Sequence, residues 1–338
     1  MHHEGRDIGR WFGSVHQPRN CLAPQTALIQ TNMTALPIPD HRQTPLLAKL
    51  QALFDQKHRY ARALIGRALG TFGNAWAADF EDTLATLCPS DAALETAAKG
   101  YSAFAFDSMR RQKAFELARV YPHKTYAQAA SEVYLNCEHM MLEYLPGLLL
   151  SHFLWPHHYR QLQFFDTAFA AAMHMSLQPQ FAEVGVGTAL YSRRLLARLP
   201  QSTGSGYDIS PASCQFARRH IESVGLHLRY SMNEQDIIAQ PIAPVPWLVC
   251  VEVLEHLEKP VEFLRALRVG LLPGGKAFIT AALNAAHADH IYLYRNSEEV
   301  CAHLNAAGFT LEQSFVAAAY GPPSPGVPVP LAAAFVVY

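Results

Sequence analysis

From Thr44 to about Met175 apolar residues recur at helical spacing, and beyond Gln178 they come in short runs, so the chain changes texture once along its length. Leu46, Leu50, Leu53 and Phe54 stand at i, i+4, i+7 and i+8 behind Pro45, a residue suited to the first turn of a helix. Tyr126, Ala130, Val133, Cys137, Met140, Met141 and Tyr144 lay a second stripe down one face, which Pro146-Gly147 is expected to end. Pro156 opens a further helix carrying Tyr159, Leu162, Phe165, Phe169 and Met173. No segment here alternates with the period of a half-buried strand, so the region reads as all-helical, with about five or six helices.

Beyond Gln178-Pro179 the short apolar runs alternate with helical patterns, as in βαβ units around a parallel sheet. Strands are expected over Phe181 to Val184, Gly204 to Asp208, His227 to Ser231, Trp247 to Val253 and Gly275 to Ala282. Helices are expected over Ala189 to Arg198, Pro211 to Val224, Pro260 to Val269 and Ser297 to Ala307, the last with Ser297 as N-cap and Gly308 as its stop. Thr310 to Ala319 and Ala332 to Tyr338 then read as two strands joined by a Gly/Pro loop, which puts one antiparallel strand at the edge. Residues 1–40 mix Gly, Pro, Gln, Asn and Thr without period and read as a loosely ordered arm, in which Met33 offers a second start. The expected organisation is therefore an arm over 1–40, a helical domain over 41–177 and an α/β domain over 178–338.

Composition narrows the partners. Half the chain is apolar and 16% is charged, which excludes global disorder. Lysines and arginines number 27 against 28 acids and form no dense run, so a nucleic-acid partner is not expected. The six cysteines make no C-x-x-C pair, which argues against a zinc knuckle and for reduced thiols in a cytoplasmic protein. The richest apolar stretch, Met140 to Trp155, is interrupted by Glu143, Pro146 and His152, and Met1 to Arg10 is followed by no signal-like apolar run. No membrane association is expected, and a homo-oligomer is compatible with this reading.

The chemistry starts where the first strand meets Glu183-Val184-Gly185-Val186-Gly187-Thr188-Ala189. Glycines at 185 and 187 let the backbone turn tightly and approach a ligand, and the acid at the strand end can accept hydrogen bonds. A dinucleotide fingerprint wants a further glycine where Leu190 stands, which disfavours pyrophosphate and with it an NAD oxidoreductase. Asp208 closes the second strand before Ile209-Ser210-Pro211, where a carboxylate can take ribose hydroxyls or cap the next helix. Asp236 and Ile237 follow the third strand, where a polar loop can read an adenine.

These segments, with Val251-Glu252-Val253-Leu254-Glu255-His256-Leu257 and Leu271-Leu272-Pro273-Gly274-Gly275, resemble in order and spacing the motifs of class I S-adenosylmethionine-dependent methyltransferases. The resemblance covers about residues 178–338 and does not extend to the helical half. It implies an α/β fold, a seven-stranded doubly wound sheet of order 3-2-1-4-5-7-6 with its last strand antiparallel. It also implies S-adenosylmethionine as cosubstrate, with Glu183, Gly185 and Gly187 at its methionine part, Asp208 and Ile209 at the ribose, Asp236 and Ile237 at the adenine, and Glu252 close by. Two departures stand out: Ala189 replaces a common third glycine, and the loop between the third and fourth strands is too short for the usual helix.

On the acceptor side, His256 and His290 are the candidate catalytic residues, since imidazole titrates near neutral pH. Asn284 and Arg295, from the segment after the fifth strand, and His157 and Tyr159, from the helical half, are the candidate substrate contacts. Glu252, Glu255 and His256 resemble the magnesium-binding motif of some ubiquinone-pathway and small-RNA 2'-O-methyltransferases, but the same letters occur in metal-free relatives, and no metal is expected. The adjacent His157 and His158 should point apart on a helix, which argues against a metal there. The expected activity is methyl transfer to N or O of a small polar metabolite, amino-acid-like or a natural-product intermediate, beneath a helical lid. Methylation of RNA or protein, or non-catalytic cosubstrate binding, is the alternative.

Overall fold

The computed structural model describes residues 42–324 and 326–338, so the arm expected over 1–40 and Cys21 lie outside the described residues. Three helices lead, Pro45–Lys57, Leu64–Leu87 and Asp91–Ala118, the third started by Ser90, whose side chain accepts from the Ala93 amide. The stripe beginning at Tyr126 is not one helix. Tyr126–Ala129 widens into a π-helical turn at Ala130–Tyr134, the chain breaks at Leu135, and Asn136 caps a new start at Cys137–His139.

Pro146-Gly147 does not end a helix either. A second π-helical turn, Met140–Tyr144, relaxes the hydrogen-bond ladder where Pro146 has no N–H to donate, and Leu145–Leu154 continues beyond it. Gly147 serves packing instead: a Cβ there would lie 2.4 Å from Cβ of Phe104 on the Asp91–Ala118 helix. Gly100 does the same from the other side, where a Cβ would meet the Leu142 carbonyl oxygen at 2.2 Å. Pro156–Phe164, a third π-helical turn at Phe165–Ala170 and Ala171–His174 complete this half.

The second half is a seven-stranded sheet: β1 (Gln180–Val184), β2 (Thr203–Asp208), β3 (Tyr230–Glu234), β4 (Val245–Cys250), β5 (Leu271–Leu283), β6 (Leu311–Ala318) and β7 (Leu331–Val337), in the order β3-β2-β1-β4-β5-β7-β6. β1 pairs in parallel with β2 and β4, and β7 runs antiparallel to both β5 and β6, as expected. β3 begins three residues later than the apolar pattern indicates. His227–Arg229 form a 3-10 turn with Leu228 facing solvent, and Arg229 donates to the carbonyls of Leu196, Leu199 and Ser202. β4 ends early at Cys250, because Glu252 takes φ of 53° and turns the chain out of the sheet. β5 starts earlier, at Leu271, with residues 272–275 bulging between the Val245 and Trp247 pairings. No helix separates β3 from β4, and Asn296 rather than Ser297 caps the helix Ser297–Ala306.

The two halves share one apolar core. Phe165 and Phe169 stack on each other and contact Phe278 of β5, while Trp247 of β4 meets Phe169 edge-on at 5.3 Å. Each such ring contributes about 2 to 3 kcal/mol by leaving water. Around them Arg194 pairs with Asp79 and Asp166, both on the helical half. At the carboxyl edge of the sheet, Gln112 takes the Asn284 carbonyl and the Ala286 amide, and Tyr121 donates to the Ala285 carbonyl.

Candidate active site

At the end of β1 the chain makes a turn only small residues permit. Gly185 has φ of 71°, and a Cβ there would sit 2.3 Å from Cγ2 of Val253; Gly187 has φ of 50° and only Leu148 Cδ2, at 3.7 Å, near its open side. The Gly187 amide donates to Oδ2 of Asp208 at 2.9 Å, while Oδ1 accepts from Ser210. Ser210, not Asp208, caps the following helix, through a hydrogen bond from Ser213. Glu183 is buried and accepts from the amide and hydroxyl of Ser192, and burial pushes its carboxyl up to about 8. Asp236 is exposed and accepts from the Ile238 amide, next to a buried Ile237.

These residues line one cavity of about 510 Å³ with Ile209, Glu252, Glu255, His256 and His290. Its lining holds seven carboxyl groups and one cationic side chain, Lys259, which is paired with Glu262 at 3.1 Å. Burial holds Glu183 and Glu255 in their neutral forms, and the carboxyl groups that remain, with a single paired cation among them, disfavour a pyrophosphate. The narrow glycine turn and the acidic walls thus fit a sulfonium-bearing nucleoside.

The far wall is aromatic and comes from the helical half: Phe104, Tyr126, Tyr134, Tyr144, Trp155, His152 and His158. Asp289, from the loop after β5, is fully buried at the junction. Its Oδ2 accepts from Tyr134 at 3.0 Å and from Tyr144 at 2.8 Å. Each tyrosine is the last residue of a π-helical turn. His256 Nδ1 lies 2.9 Å from the Tyr134 hydroxyl and 3.2 Å from the Asp289 carbonyl, and His290 Nδ1 lies 2.7 Å from the Ala285 carbonyl. Carbonyls only accept, so in both rings Nδ1 carries a hydrogen. The rings meet edge to face at 4.9 Å, and burial lowers His290 well below the ordinary imidazole range.

Glu252 is held by Thr280, which donates to its carboxyl at 2.6 Å and accepts from its amide. Glu255 is buried, neither of its carboxyl oxygens has a hydrogen-bond partner, and desolvation raises it well above the carboxylate range. Among the described residues, Glu255, His256 and His290 form a group able to hold a metal ion, with one ligand atom from each within 4.8 Å of the others.

Four expected substrate contacts do not line the cavity. Tyr159 turns toward Phe72 and Asp79 inside the helical half, because its stripe faces that core. His157 is buried behind Trp155, with its ring 4.3 Å from His158 rather than pointing apart, and it is His158 that reaches the cavity. Asn284 has φ of 52° and uses its amide on the Arg295 carbonyl, a turn-forming role. Arg295 is exposed, and its backbone amide is held by Glu299. Asp289 belongs to the polar segment after the fifth strand that was expected to face the acceptor, whereas Tyr134 and Tyr144 were not expected at the site: Tyr144 read as a core position of a helical stripe, and Tyr134 stood outside that stripe.

Residues 182–277 match a family described as Methyltransferase domain. The ubiquinone biosynthesis O-methyltransferase of Xanthomonas axonopodis pv. citri (strain 306) is 31% identical over 99 residues, 29% of this chain and 41% of that protein. Its counterpart in Coxiella burnetii (strain Dugway 5J108-111) is 25% identical over 118 residues, 35% and 49% of the two chains. The chain thus spans less than half the length of these curated relatives. Mitomycin 7-O-methyltransferase MmcR shares the fold over 86% of this chain and 94% of its own, with a TM-score of 0.50 and 15% identity.

Proposed function

With its C-terminal half built as a class I S-adenosylmethionine-dependent methyltransferase domain, we propose that this chain methylates a hydroxyl on an aromatic small molecule enclosed between the two halves. The observation that carries the reading is one cavity in which the Gly185–Gly187 turn and Asp208 face a wall of Tyr134, Tyr144, Trp155 and two histidines, His256 and His290, each held through Nδ1 on a backbone carbonyl. S-adenosylmethionine supplies an electrophilic methyl group when bound. Asp208, itself held by the Gly187 amide, orients it in the room that the Gly185–Gly187 turn leaves, and the aromatic wall aligns the acceptor, so that positioning provides much of the acceleration, about 7 to 11 kcal/mol at best. A hydroxyl must lose its proton on attack, and Nε2 of His290 or of His256 accepts it. The relatives named as O-methyltransferases support oxygen as the acceptor atom. The enclosed aromatic wall favours a small molecule over RNA or protein. Arg295, the guanidinium expected to meet an acceptor carboxylate, lies outside the cavity.

Calorimetry tests the premise: S-adenosylhomocysteine should bind, and Asp208→Ala should weaken it by about 1.5 to 3 kcal/mol, the range for a hydrogen bond to a charged group. NAD binding without any response to S-adenosylhomocysteine would sink the proposal.

A second reading follows from the unpartnered carboxyl of Glu255. With His256 and His290 it would hold a divalent cation able to polarise the acceptor hydroxyl. The two part on EDTA: activity should survive it, whereas loss with EDTA and recovery with magnesium would make these three residues ligands.

A further inference from the structure

A second cavity, of about 330 Å³, lies between the helical half and the loop after β5. It shares the lining residues Phe104, Tyr144 and His287 with the larger one, so the two cavities are neighbours. Four carboxylates line it, Asp107, Glu132, Glu143 and Asp289, against one guanidinium, that of Arg111. Three of the four are already matched. Asp107 pairs with Arg110 and Arg111, Glu132 with Lys124, and Glu143 with His139 at 3.3 Å.

Asp289 differs from these three: His256 Nδ1 lies 3.4 Å from its Oδ2, and that contact leaves Oδ1 untouched. It is fully buried, and two tyrosine hydroxyls donate to Oδ2, an arrangement that suits an ionised carboxylate. Its Oδ1 has no hydrogen-bond partner. A desolvated anionic oxygen without a donor is costly, and a cation with N–H groups removes that cost. The aromatic faces of Phe104 and Tyr144 beside it are favourable neighbours for a positive charge.

We propose that this cavity takes a protonated amino group carried on a short arm of the acceptor, with Asp289 as its buried counter-ion. The inference rests on the reading of the larger cavity as the seat of a small aromatic acceptor. It assigns that acceptor a class, an aromatic hydroxyl compound with a basic amine.

The test uses the full chain loaded with S-adenosylhomocysteine and two probes of equal arm length that differ in the charge at its end, tyramine and 4-propylphenol, titrated by calorimetry. Tyramine should bind roughly tenfold more tightly, the scale of one charge-assisted hydrogen bond. Asp289→Asn should abolish that preference. Should this variant fold poorly, Glu132→Gln combined with Glu143→Gln at exposed positions should reduce the preference about twofold to threefold at low salt, through the longer-range field alone. Equal affinity of the wild type for both probes, as expected if water satisfies Asp289, overturns the proposal. So does a preference that Asp289→Asn leaves intact while S-adenosylhomocysteine still binds. Failure to bind S-adenosylhomocysteine at all would instead strike the methyltransferase reading, so the two failures are distinguishable.

Discussion

The two halves of the molecule build their sides of the cavity in different ways. The sheet half works largely with backbone: two glycines at positive φ, an amide on Asp208, and carboxyl groups set at strand ends. The helical half works with side-chain tips, the Tyr134 and Tyr144 hydroxyls and the rings of Phe104, Trp155 and His158, delivered by helices whose other faces are packed. A backbone device needs particular residues at fixed spacing. A side-chain wall needs only that helices be docked correctly, so it leaves no contiguous motif.

The sharpest way to break this comparison is to add one methyl group to a glycine in each half. Gly185→Ala forces a Cβ against Val253 at a positive φ and should cost S-adenosylhomocysteine at least a hundredfold in affinity, on the order of 3 kcal/mol. Gly100→Ala pushes a Cβ into the Leu142 carbonyl and should lower stability by about 1 to 3 kcal/mol while the folded fraction binds normally. Calorimetry and denaturant unfolding of both variants decide it. If Gly100→Ala impairs binding as severely as Gly185→Ala, the division of labour is wrong.

A smaller effect is expected at the wall. Trp155→Ala removes a ring stacked on Phe104 and near His158, and should lower transfer to a responsive acceptor about tenfold or more, with S-adenosylhomocysteine affinity changed less than twofold. Steady-state rates set beside binding isotherms would show it. A matched loss in both would mean that the wall also builds the cosubstrate side.

The smallest expected effect is a pH dependence of stability. Burial pushes His152 down to about 4, and its Nδ1 has no partner. Between pH 6.5 and 4 the unfolded chain binds this proton and the folded one does not. The wild type should therefore lose stability relative to His152→Gln as pH falls through that window, by at most about 1.4 kcal/mol per pH unit. Paired urea titrations at pH 7 and 5 measure the difference, and a gap that does not change with pH rules out a neutral buried imidazole.

The sequence by itself determined the alternation of short strands and helices beyond Gln178, the helical character of residues 45–174 and the Gly185, Gly187, Asp208 and Asp236 side of the cavity, whereas the sheet order followed from the family resemblance. Periodicity and turn chemistry are local, and these features depend on neighbours within a few residues. His256 and His290 line the cavity because both follow the carboxyl ends of strands. Only the tertiary structure decided which aromatic residues face the cavity. Tyr159 and His158 are adjacent on one helix, yet one packs inward and the other lines the site, and no periodicity says which side of a helix a second domain will meet. The π-helical turns that end in Tyr134 and Tyr144 likewise shift the register by one residue per turn. That shift, absent from any pattern of apolar letters, accompanies the two hydroxyls on Asp289, because long-range packing rather than local propensity sets where the chain can afford a widened turn.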